Sequence, residues 1–199
     1  DPVRVITNKS SGKMGTNIAE QAFLRGADVI LLRGHNSVEP NYNVKEEKFA
    51  TVNDLFSKTK KNIKSADIVI HAAAVSDFTI NNRHDSKIKS SKELHLELSP
   101  ATKIFEKLKN LNKKIFLVGF KAEHNVSENR LISSAYDILK KAKADLVIAN
   151  DVGKKGRGFD VDTNEVFVVD KNKGIKHIKL SDKRVIANKI LDEIVNKIK

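Results

Sequence analysis

Four stretches of this chain are apolar on both faces, and segments of helical period separate them. ADVILLRG at 27–34, ADIVIHAAAV at 66–75, KIFLVGFKAE at 114–123 and ADLVIAND at 144–151 offer water no face. A strand of that kind must be covered on both sides, as in a parallel sheet between two helical layers. Residues 12–25 put Met14, Ile18, Ala19, Ala22 and Phe23 on one helical face, and Gly26 ends the run. Residues 52–64 turn Leu55, Phe56 and Ile63 inward. A short helix at 101–109 follows Ser99-Pro100, and 131–143 forms another. Right-handed crossovers then give an α/β fold, a doubly wound, mostly parallel, Rossmann-like sheet. EVFVVDKNKGIKHIKL at 165–180 alternates and turns at Asn172-Lys173-Gly174, which predicts a C-terminal β-hairpin. Ser181 is the expected N-cap of a final helix through Ile186, Ile190, Ile194 and Ile198. Residues 79–93 are polar and basic without a period, and read as a loop.

Composition removes several chemistries. The chain has 199 residues and no cysteine, so a disulfide framework, a Cys-type zinc site and a cysteine nucleophile are excluded. No apolar run approaches a membrane span, and no signal peptide opens the chain. A cytoplasmic protein with no membrane partner is expected. The sequence begins at Asp1 rather than Met, which suggests a piece of something longer. The net charge of +12 invites a nucleic-acid reading. Its distribution argues otherwise: 30 of the 37 basic residues are lysines, spread from Lys9 to Lys199 without a stripe or aromatic interleaving. Arginine, the bidentate reader of phosphate and guanine, accounts for only 7. The six histidines show no i, i+4 pair, so no metal ligand is named; His71 reads as a satisfied core residue.

Ligands of open α/β sheets bind beyond the carboxyl ends of the strands, and the non-periodic polar residues cluster there. Asn8-Lys9-Ser10-Ser11-Gly12-Lys13-Met14-Gly15 follows RVIT at 4–7 and runs into the first helix. Small residues there let backbone N–H groups approach an anion, with the helix dipole in support; an ordinary helix start explains them equally well. The segment is neither a Walker loop nor the dinucleotide fingerprint. Ala72-Ala73-Ala74 offers a flat floor to a base or sugar, and Asp77 can accept from ribose hydroxyls or simply cap a turn. Lys87-Ile88-Lys89 could meet a triphosphate or be solvated charge. Gly119-Phe120 ends the third strand, and Ala149-Asn150-Asp151 the fourth.

Together and in order, DPVRVITNKSSGKMG at 1–15, HAAAVSDF at 71–78, KIK at 87–89, VGFKAE at 118–123, DLVIANDV at 145–152 and GFDVDTNEV at 158–166 resemble the phosphopantothenate–cysteine ligase family. That family acts in coenzyme A biosynthesis, in many prokaryotes as one half of a bifunctional protein with a flavin-dependent phosphopantothenoylcysteine decarboxylase. The resemblance implies that 4'-phosphopantothenate is activated by a nucleoside triphosphate with Mg²⁺, CTP before ATP, and that L-cysteine then captures the acyl-nucleotidylate. It gives Asn8 and Lys87 the catalytic roles. Ser10, Ser11, Gly12, Ala73, Ala74, Asp77, Lys87, Phe120 and Lys141 are matched to the nucleotide, and Asn8 and Lys89 to the substrate. The family's further strand before the DPVR segment has no counterpart in this sequence, so one sheet strand is expected to be missing. Residues 1–199 are expected to form one nucleotide-binding ligase domain. Its 160–180 hairpin, through Val166, Val168, Ile175 and Ile178, is expected to build a homodimer. The alternatives are an NAD(P)-dependent oxidoreductase, for which Tyr42 and Tyr136 give no convincing Tyr–Lys pair, and a basic nucleic-acid module.

Overall fold

The computed structural model describes residues 1–82, 84–90 and 93–199. In chain order the elements are α1 (Lys13–Leu24), β1 (Ile30–Gly34), β2 (Lys45–Phe49), α2 (Val52–Asn62), β3 (Ile68–His71), β4 (Phe78–Ile80) and β5 (Leu98–Pro100). Then come α3 (Ile104–Leu111), β6 (Phe116–Glu123), α4 (Glu128–Ala142), β7 (Leu146–Asp151), β8 (Thr163–Asp170), β9 (Ile175–Asp182) and α5 (Lys183–Ile198). The central sheet has the order β3-β6-β7-β8-β9, parallel from β3 to β7 and antiparallel beyond.

Period two sorts the buried strand residues into two cores. Leu117, Val147, Ala149, Phe167 and Val169 face α2, α3 and α4. Val118, Leu146, Ile148, Val166, Val168 and Ile178 face α1 and α5. Every residue of β7 is buried, because both layers cover it. This is the mixed α/β architecture expected from the apolar strands.

Four expectations need correction. The hairpin at 165–180 forms, but it completes the central sheet instead of projecting from it. Val166, Val168 and Ile178 lie in its core, and only Ile175 of the four expected contacts is exposed. Alternation shows that one face is buried but not against what. The strand at 27–34 is shorter and pairs with β2, not with the central sheet. β2 reads KEEKF, too charged to have been recognised, and its charges lie along a partly solvated ribbon. The final helix is capped by Asp182, which accepts from the Arg184 N–H, and not by Ser181, which still belongs to β9. Within the 79–93 segment, of which 83, 91 and 92 lie outside the described residues, Ile80 closes a short ribbon of β4 with β5. RVIT at 4–7 forms no strand, and Val3, Val5 and Ile6 are exposed. Among the described residues, β3 and β9 each keep one unpaired edge of the central sheet, and each strand of the two ribbons keeps one.

Candidate functional site

The site gathers where β3, β6 and β7 end, and the start of α1 forms its centre. Gly12 opens that helix with φ +75°, and no side chain caps it. A Cβ there would lie 2.5 Å from the Ser37 Cβ, so only glycine fits. Arg33 sets this crowding: almost fully buried, it reaches from β1 to the Ser37 carbonyl at 2.6 Å and to Glu46 and Glu39 at 2.8 and 3.0 Å. The Val38 N–H then donates to the Ser11 carbonyl at 3.0 Å. The first N–H groups of α1 therefore face the strand ends with the positive end of the helix dipole. A Cβ on Gly15 would meet that of Ala72 at 3.5 Å, so the helix start sits directly on the alanine floor.

Asn8 ties the two parts together. Its Nδ2 donates to the Ala74 carbonyl, and its Oδ1 accepts from the Ser10 N–H at 2.9 Å. One amide hydrogen and one lone-pair direction remain for a ligand. Ser10 in turn points its Oγ at the Gly12 N–H, 3.5 Å away.

The lysine-bearing segment is held from the other side. Asp1, whose side chain is almost fully buried, accepts from the Ile88 N–H at 3.1 Å, while Arg4 donates to the Ile88 carbonyl at 2.7 Å. Arg4 and Asp1 also pair with each other. Ile88 is thus gripped at both backbone groups, and Lys87 and Lys89 project into solvent on either side of it. Among the described residues neither lysine has an ion pair or side-chain hydrogen bond. Asp1 and Arg4 escaped the reading of individual residues; the only signal was their place in the DPVR motif.

The remaining candidates divide. Asp77 lies just past the alanines and pairs with Lys103, which precedes α3. Phe120 is half-buried, with its backbone in register with Ile148. Lys141 is not brought to this edge. It sits on the last turn of α4, where the Asp145 N–H meets the Leu117 carbonyl at the opposite end of the strands. A helix following a parallel strand runs back along it, so its C-terminus lies far from that strand's carboxyl end.

Two groups frame the edge. Asp151 accepts from the N–H groups of Asn125, Val126 and Gly153 at 2.8, 3.1 and 2.9 Å, which orders the turns after β6 and β7. Burial pushes its carboxyl up, but the three N–H bonds outweigh that and leave it below its ordinary value. His71 ends β3 opposite Gly119, its ring tilted on Phe105 with centroids 5.6 Å apart. It is half-buried rather than a satisfied core residue: among the described residues its Nε2 is enclosed without a hydrogen-bond partner, and desolvation lowers its pKa to about 4.

The chain matches the family described as "DNA/pantothenate metabolism flavoprotein C-terminal domain" over residues 1–198. It is 43% identical over 196 residues to the "Coenzyme A biosynthesis bifunctional protein CoaBC" of Thermococcus kodakarensis, covering 98% of this chain and 47% of that protein. The chain spans about half the length of the curated relatives it matches. Among solved structures it is similar to the DNA/pantothenate metabolism flavoprotein of Streptococcus pneumoniae, with a TM-score of 0.86, 29% identity, and coverage of 99% of this chain and 93% of that one. It is also similar to the C-terminal domain of the bifunctional protein CoaBC, with a TM-score of 0.81, 29% identity, and coverage of 100% and 88%.

Proposed function

We propose, from the premise that this chain belongs to the DNA/pantothenate metabolism flavoprotein C-terminal domain family, that it is a phosphopantothenate–cysteine ligase. The observation that carries the reading is the convergence at one sheet edge of an uncapped helix start, the alanine floor with Asn8 across it, Asp77, and the clamped Lys87-Ile88-Lys89 segment. These parts suit a nucleotide and a carboxylate brought together. The bifunctional relatives support a partner flavin-dependent decarboxylase activity, fused or separate.

In this reading the carboxylate of 4'-phosphopantothenate attacks the α-phosphorus of CTP, with ATP as the alternative, and pyrophosphate leaves. The cysteine amine then attacks the acyl carbon, an amide forms, and the nucleoside monophosphate leaves with the bonding pair. Neither step needs an enzyme nucleophile; position and charge can supply the rate. The start of α1 receives phosphate oxygens, Asp77 exchanges Lys103 for the ribose, and the Asn8 amide orients the acyl group. Lys87 steadies negative charge on the transferring group, and Lys89 meets the substrate's own phosphate. Mg²⁺ would neutralise the departing pyrophosphate. Among the described residues no three His, Cys, Asp or Glu side chains converge, so the phosphates would be its main ligands.

A homodimer belongs to the same proposal, although Val166, Val168 and Ile178 of the β8–β9 hairpin are buried within this chain and cannot be its contacts. One group of exposed apolar side chains lies on and beside the β4–β5 ribbon, at Phe78, Leu94, Leu96 and Leu98, and β9 exposes Ile175 and Leu180. Light scattering at micromolar concentration is expected to give a dimer mass; a fully active monomer refutes it.

The test is pyrophosphate release with CTP or ATP that requires 4'-phosphopantothenate, followed by amide formation only when cysteine is added. A thermal shift with NADPH or a DNA duplex but with neither triphosphate would overturn the reading in favour of an oxidoreductase or a nucleic-acid module.

A further inference from the structure

Residues 158–162 run between β7 and β8 without regular structure, yet each of their five carbonyls has a donor. Three residues supply all of them. Lys183, 4% exposed at the start of α5, sends its Nζ to the carbonyls of Gly158, Phe159 and Val161 at 3.1, 3.1 and 2.5 Å. Its backbone N–H takes the Asp162 carbonyl at 2.8 Å. From α1, the Lys13 Nζ takes the Asp160 carbonyl at 2.9 Å and the Asp162 carboxylate at 2.7 Å. The Ser11 Oγ donates to Phe159, at 2.5 Å, on the same oxygen that Lys183 holds. An ammonium has three protons, and all three are spent on this segment.

We propose that Lys183 is a positioning residue: its buried ammonium acts as a built-in cation that seats residues 158–161 against the start of α1 and thereby fixes Ser11 and the anion-receiving N–H groups behind it. A buried ammonium is costly unless every proton is bonded, so the carbonyl cage and Lys183 require each other. Without that charge the carbonyls repel one another and the segment swings away. Ser11 then loses its acceptor, and Lys13 loses the Asp160 carbonyl. The consequence for turnover rests on the ligase reading; the tether itself does not.

The test compares wild type with Lys183→Met, which keeps the volume and removes the charge, and Lys183→Ala, which leaves room for a soluble amine. Trypsin reports the tether, because Lys154, Lys155 and Arg157 lie just ahead of the held carbonyls. Cleavage there is expected to be at least tenfold faster in both variants. The KM for the nucleoside triphosphate is expected to rise at least tenfold, with kcat falling less than threefold. n-Propylammonium should lower the KM of Lys183→Ala at least threefold, and tetramethylammonium at equal ionic strength should not, an effect a loss of stability alone would not produce. Unchanged KM and unchanged cleavage overturn the proposal. So does wild-type cleavage after Arg157 at the rate of an unfolded peptide, a result that needs no variant to fold. If wild type shows no ligation with CTP or ATP, the ligase reading fails, and the proteolysis arm still decides the role of Lys183.

Discussion

His71 makes the protein's stability fall on acidification in a way one substitution should remove. The folded state holds the imidazole neutral, with a pKa of about 4, because its ring is desolvated beside Phe105 and, among the described residues, its Nε2 has no hydrogen-bond partner. In the unfolded chain the same group titrates near 6.5. The unfolded state therefore binds more protons between those values, and stability must fall as pH falls through that window. At about pH 5 the unfolded imidazole is almost fully protonated and the folded one about a tenth protonated. That difference corresponds to about 2 kcal/mol of lost stability relative to about pH 7.5. The loss would grow to roughly 3 kcal/mol below pH 4, where both forms are charged. His71→Leu should cancel it. Leucine fills a similar volume and removes an unpaired buried nitrogen, so stability at neutral pH should hold or rise. Urea unfolding of both proteins at the two pH values measures the quantity directly. If His71→Leu loses as much stability on acidification as wild type, the desolvated neutral imidazole is not the source, and the argument from its enclosure is wrong.

Three further outcomes follow from the site. Asn8→Ala should abolish amide formation while triphosphate binding, read by thermal shift, falls by less than threefold; full ligation by the variant would remove Asn8 from the mechanism. Lys87→Gln should slow turnover at least tenfold and leave the melting temperature unchanged, because the side chain is exposed; unaltered kinetics would mean that it is only solvated charge. Gly119→Ala should destabilise the fold by about 1–3 kcal/mol, since the new Cβ would lie 2.2 Å from the Phe105 ring, and a neutral result in denaturant unfolding would show that Phe105 can move aside.

The strands that were legible are those with a continuous apolar run. β6 and β7 stand almost where KIFLVGFKAE and ADLVIAND put them, because a central strand leaves a continuous apolar run. Charged or very short strands leave no such trace: β2 is mostly charge, and β4 and β5 are three residues each. The hairpin was recognisable from its turn, but its destination was not, since period two is the same whether the buried face meets its own sheet or another molecule. Within the site, the helix start and the alanine floor could be placed from strand ends. The bonds that join them could not. Asp1 and Arg4 on Ile88, Asn8 on Ala74 and Ser11 on Phe159 are side-chain contacts to distant backbone, and such contacts impose no period on either partner.

Those bonds also set an order of events in folding. Asn8 reaches across 66 positions to Ala74, Arg4 across 84 to Ile88, and Ser11 across 148 to Phe159. Loops of that span close slowly, and a single hydrogen bond gains too little to hold them before the sheet brings their ends together. The motifs should therefore meet late, on a sheet already formed. By the same reasoning they separate early on warming, as a sub-global opening that precedes collapse of the core. Ligand binding at this edge would rise and fall over a lower temperature range than the far-ultraviolet signal of the sheet and helices beneath it.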